Sequence, residues 1–127
     1  MRQLALLATL LLGTLLTAVA PAAEQGDAPR GQQLFAIQCA GCHALDPSQK
    51  RMGPPLAGVI GRQAGSVEGV RYSAALRDAG FVWDETRLDD YLANPARYLP
   101  GTTKAVSVSN PKARADLIVY LRAQSKP

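Results

Sequence analysis

Residues 27–43 read DAPRGQQLFAIQCAGCH, and this stretch decides the fold. Asp27 is placed to cap a helix, Pro29 suits its first turn, and Gly31, Leu34 and Phe35 recur at helical spacing to about Gln38. The helix then runs into Cys39-Ala40-Gly41-Cys42-His43, the C-x-x-C-H pattern of c-type haem attachment. Two thiols at this spacing, at a helix end, reach both vinyl positions on one haem edge. The next residue, His43, is then carried under the iron as an axial ligand. Three other readings compete. A disulfide or thioredoxin-like redox pair suits an exported chain, but such pairs begin a helix within alternating strands and helices, a pattern missing here. Zinc takes four ligands, whereas the chain holds two cysteines and one histidine. Chance is the third.

Towards the N-terminus, Arg2, the apolar run from Leu4 to Ala20 and the small residues Ala20-Pro21-Ala22 read as a secretory signal peptide. Cleavage after Ala22 divides the chain into a signal peptide, 1–22, and one domain, 23–127, with the periplasm as the expected location. An uncleaved anchor is the alternative, but the run falls slightly short of the ~20 residues that span a bilayer. The chain carries a net charge of +4, and losing Arg2 with the leader leaves +3. That mild excess suits docking on an acidic partner surface. It is too diffuse for nucleic acid, since the chain has no basic run and no recognised reading motif. A domain this small benefits from a buried cofactor as part of its core.

Towards the C-terminus, 44–69 is rich in glycine and proline and reads as loop. Ser73 caps a short helix through Ala79, stopped by Gly80. Asp84 opens another helix with Leu88, Tyr91 and Leu92 on one face, ended by Asn94-Pro95. Pro100-Gly101 marks a turn. Ala105 to Ser109 alternates but is too short and isolated to build a sheet. Asn110-Pro111 starts a last helix whose buried stripe is Leu117, Tyr120 and Leu121. The expected class is all-α, about four helices joined by long loops, and loops of that length fit a chain wrapped around a cofactor.

In order along the chain stand Gly31, Phe35, the haem motif, Gly53-Pro54 with Leu56, Gly61-Arg62, Tyr72-Ser73, Trp83, Tyr91-Leu92, Pro100-Gly101-Thr102 and Leu117 to Leu121. With these markers the chain resembles the class I cytochromes c, the group of mitochondrial cytochrome c and bacterial cytochrome c2, from about Asp27 to Gln124. The resemblance implies the class I fold around one covalent haem c. It implies that Pro54 offers its carbonyl to the free ring nitrogen of His43, and that Arg62, Tyr72 and Trp83 satisfy a buried propionate. Tyr91 and Thr102 join the haem-lining residues, and Gly31 marks a close crossing of first and last helices.

One departure stands out. Class I cytochromes carry a methionine just after the Pro-Gly-Thr turn, as the sixth iron ligand. Here Lys104 falls at that place, and the only methionines are Met1 and Met52. Three distal states are open: Lys104 binds iron as a neutral amine, Lys104 is solvated and the sixth position is open or holds water, or another loop group such as Lys112 or Asn110 swings in. The expected function is a one-electron carrier between exported or membrane-bound redox partners, a monomer touching membranes only through those partners. Lys50, Arg51, Arg97 and Lys112 are the candidate docking charges. The alternatives are an open-site haem protein binding nitric oxide, carbon monoxide or peroxide, with at most weak peroxidase activity, and a dedicated cytochrome subunit of a redox enzyme.

Overall fold

Among the described residues every helix begins at a side chain that caps it. The computed structural model describes residues 25–104 and 106–125, so the expected signal peptide, and Ala105, lie outside the described residues. Among them are α1 (Ala28–Gln38), α2 (Ala74–Arg77), α3 (Glu85–Ala93), α4 (Pro95–Tyr98) and α5 (Pro111–Ala123). Asp27, Ser73, Asp84, Asn94 and Asn110 are the respective N-caps, each accepting from a backbone N–H of the first turn. Each cap satisfies a donor that the helix cannot, at about 1 kcal/mol apiece. Pro29, Pro95 and Pro111 occupy first-turn positions, where a missing N–H costs nothing.

Two expectations need correcting. The helix after Ser73 stops at Arg77, with Asp78 as C-cap, so Ala79 lies outside it. The pair Asn94-Pro95 is a start as well as the expected stop: Asn94 ends α3 and its side chain caps α4 through the N–H of Arg97. The helix count is therefore five among the described residues. The segment 106–109 is not a strand, and the only β pairing among the described residues is an isolated bridge between Gln63 and Val82.

The core gathers on α5. Leu117, Ile118, Tyr120 and Leu121 are buried with Phe35 of α1 and with Leu88, Tyr91 and Leu92 of α3. The first and last helices cross at Gly31. A Cβ there would lie 2.0 Å from the Asp116 carbonyl oxygen and 2.7 Å from Tyr120 Cβ, so only hydrogen fits. Asp116 is fully buried in this crossing and its Oδ1 accepts from the backbone N–H of Asp27 at 2.7 Å. Lys112 donates to the same oxygen from one turn earlier. On the other side of α5, Arg114 reaches Asp89 at 2.7 Å and Arg122 reaches Glu85 at 2.9 Å, both on α3.

The long 44–69 segment is held by backbone bonds to distant chain. Gly61 N–H donates to Trp83, Trp83 N–H to Arg62, and Ala64 N–H to Phe81, at 2.8–2.9 Å. These pairings satisfy backbone groups that an irregular loop would otherwise bury unpaired. They also set Phe81 and Trp83 next to the α3–α4 aromatics.

Candidate functional site

The haem motif is the continuation of α1. Cys39 is the helix C-cap and its N–H donates to Phe35 at 2.9 Å; the N–H groups of Cys42 and His43 then turn back onto the Cys39 carbonyl at 3.1 and 2.9 Å. This turn brings the two free thiols and the imidazole into one short arc, Cys39 half-buried and Cys42 exposed. Gly53 N–H donates to Cys42 and Leu56 N–H to Ala44, both at 2.8 Å, and Arg51 Nη1 donates to Ala40 at 2.9 Å. The segment 51–56 thus straps the motif from behind.

That strap carries Pro54. His43 Nδ1 lies 2.8 Å from the Pro54 carbonyl oxygen. A carbonyl only accepts, so Nδ1 holds the proton, and the neutral ring keeps its lone pair on Nε2. Burial lowers the His43 pKa, with the Pro54 bond opposing and the Lys104 charge adding to the fall, so the neutral, ligand-competent ring is favoured. Gly53 leaves the room: a Cβ there would meet the ring at 2.3 Å. Met52, beside Gly53 on the His43 side of the site, is 80% exposed and points its thioether to solvent.

Arg62 donates to the carbonyls of Pro55 and Ala57, both at 2.6 Å, leaving three of its five N–H donors. Tyr72 accepts from the N–H of Val67 at 3.3 Å through its oxygen, so its own O–H proton is unspent. Burial raises the Tyr72 pKa, against smaller opposing effects of the Val67 N–H and the Arg62 charge. Trp83 is buried and packs on Tyr91 with centroids 5.0 Å apart and edge-on to Phe81 at 4.8 Å. Tyr98 completes this cluster, 6.1 Å from both Phe81 and Tyr91. Phe81 and Tyr98 escaped the sequence reading, because isolated aromatics in loops and short helices have no periodicity to mark them.

Tyr91 and Thr102 pair directly, hydroxyl to hydroxyl, at 2.6 Å. This ties the Pro100-Gly101 turn to α3. Two residues on, Lys104 is half-buried, and its Nζ donates to the Val106 carbonyl at 2.6 Å. Burial lowers the Lys104 pKa, while Cys39 and Cys42 pull it up. The other two groups considered for this loop are committed elsewhere: Lys112 pairs with Asp116, and Asn110 Oδ1 caps α5 through Ala113. Lys112 is for the same reason a poor docking charge, and Arg51 spends a donor on Ala40.

A family profile described as Cytochrome c matches residues 28–125. The chain belongs to the cytochrome c family. Among similar proteins, cytochrome c of Cochliobolus lunatus is 43% identical over 105 residues, 81% of this chain and 97% of the relative. Cytochrome c of Arabidopsis thaliana is 42% identical over 110 residues, 85% and 98% of the two chains. Cytochrome c 2.1 of Caenorhabditis elegans is 44% identical over 102 residues, 79% and 91%. A cytochrome c carries one covalent haem c, and the chain is accordingly a monohaem electron-transfer protein and not an enzyme. The residues present fit that group. Among the described residues no cluster of three or more His, Cys, Asp or Glu could hold a bare metal ion. Two free thiols able to add to the vinyl groups of a macrocycle, beside an imidazole whose Nε2 lone pair is unengaged and can ligate its iron, suit a covalent haem instead.

Proposed function

We propose that the chain is an exported one-electron carrier of the periplasm, its haem c joined through thioether bonds to Cys39 and Cys42 and ligated on one face by His43. The observation that carries the reading is the 2.8 Å contact between His43 Nδ1 and the Pro54 carbonyl. It orients the ring, fixes the tautomer and increases the basicity of Nε2, as partners behind a metal-bound histidine do. When bound, the haem supplies the Fe(III)/Fe(II) couple.

The chain's own groups do the rest. The unspent donors of Arg62 and Tyr72, with Trp83 beside them, are placed to hold a propionate, whose burial would otherwise be costly. Phe81, Trp83, Tyr91 and Tyr98 keep water from that side. Rigid packing of this kind keeps rearrangement between the two charge states small. Exposed Lys50 and Arg97 lend the surface positive charge for a brief encounter with an acidic partner, which is exported or membrane-bound. The 1–22 leader supports export, and the net charge of +3 left without it supports an acidic partner face.

Expression of the full chain in a bacterium with the haem-attachment machinery tests this. A periplasmic protein starting at Ala23, one haem heavier than its polypeptide, and titrating with one electron is expected. Cytoplasmic retention refutes export, and absence of bound haem in the wild type, or full attachment in the Cys39→Ala, Cys42→Ala double variant, refutes the site.

A further inference from the structure

The sixth ligand of the iron falls where Lys104 departs from the methionine that the resemblance implies, and the structure narrows the choice. Met52, the only thioether among the described residues, is on the same side as His43 and faces solvent. His43 is the only histidine. Lys112 and Asn110 are held at α5. Lys104 is different. It follows the turn that Tyr91 anchors through Thr102, and its own N–H makes a long 3.4 Å contact to the same Thr102 oxygen. Lys104 is half-buried although it stands on an irregular loop, and its amine is held by a backbone carbonyl.

We propose that the Nζ amine of Lys104 is the sixth ligand of the haem iron, opposite His43, in the place the family gives to a methionine thioether. This rests on the haem c reading of the site. The Val106 carbonyl that accepts from Nζ at 2.6 Å holds the end of the side chain in place. A coordinated neutral amine keeps two N–H groups, so one still serves Val106 while the lone pair forms the Fe–N bond. The ammonium gives up one proton to solvent in this step, and no electron moves. The amine lies close enough to Cys39 and His43 for both to feel its charge. A nitrogen donor favours ferric iron more than a thioether does, so the potential sits below that of the His/Met pairing.

The haem-loaded full-length protein, with Lys104→Ala and Lys104→Met, decides the matter by low-temperature electron paramagnetic resonance of the ferric state at neutral pH. Wild type is expected to be low-spin. Lys104→Ala should become predominantly high-spin and bind added imidazole roughly ten-fold or more tightly, because no internal ligand competes. Lys104→Met should return to low-spin with changed g values and a higher potential. A high-spin wild type, or a Lys104→Ala spectrum identical to wild type, overturns the proposal while the measured covalent haem leaves the carrier reading standing. Absence of covalent haem in all three proteins overturns both.

Discussion

Alanine at position 31 is the smallest perturbation that should open the molecule. The added methyl would sit 2.0 Å from the Asp116 carbonyl oxygen, where ordinary contact begins at 3.4 Å, so α1 and α5 must part by roughly 1.4 Å. No side chain can rotate away, since the obstacles are helix backbone and the Cβ of Tyr120. Overpacking of a dense core costs about 1–3 kcal/mol, and a backbone obstacle places this case at the upper end. Separation also loosens Phe35 on Tyr120, whose rings lie 5.8 Å apart, and the fully buried Leu117. Against this, alanine in a helix gains nearly ~1 kcal/mol over glycine. The expected net loss is about 2 kcal/mol. Guanidinium unfolding of the haem-loaded protein measures it, with exposed Gln33→Ala on the same helix as control. A lower midpoint at unchanged slope is expected. If Gly31→Ala were as stable as the control, the close crossing would not be holding these helices together.

Asp116 should shape the acid limb of stability. The hydrogen bond from Lys112, above all, lowers its pKa below the ordinary 3.8, against the effect of burial. Its contribution is therefore complete above 3.8 and disappears as pH falls through the depressed folded value. Asp116→Asn should flatten that part of the acid-unfolding curve followed by circular dichroism. Tyr91→Phe removes the Thr102 hydroxyl partner, which should cost about 1 kcal/mol and speed the entry of added imidazole in stopped-flow mixing. Gly53→Ala should turn the His43 ring away from Pro54, shifting the g values of the ferric low-spin signal while covalent haem content, read by mass, persists.

Local chemistry was legible residue by residue. Asp27, Asp84 and Asn110 announce helix starts because a cap needs only its own side chain and the next turn. The haem motif is legible because its parts are neighbours in the chain. What escaped reading depends on partners far apart. Asn94-Pro95 carries opposite signals, a stop for α3 and a cap for α4, and only the packed structure uses both. Asp116 sits inside an otherwise apolar stripe, and its partner at Asp27 is 89 residues away. The stitching of 61–64 to 81–83 is backbone bonding, which side-chain pattern does not encode. Lys104 was visible as a departure at the methionine position, but its hold on the Val106 carbonyl came only with the fold.

The bond from Asp27 N–H to Asp116 has a topological consequence. Together with the Gly31 crossing it fastens the start of the domain to its last helix, so the covalent order between them is nearly a closed ring. A ring has no preferred place to be cut. Joining residue 125 to residue 25 through a short flexible linker and opening the chain at the exposed Glu68-Gly69 should yield a circular permutant that still folds, because the new break crosses neither the motif, its strap nor the helix crossing.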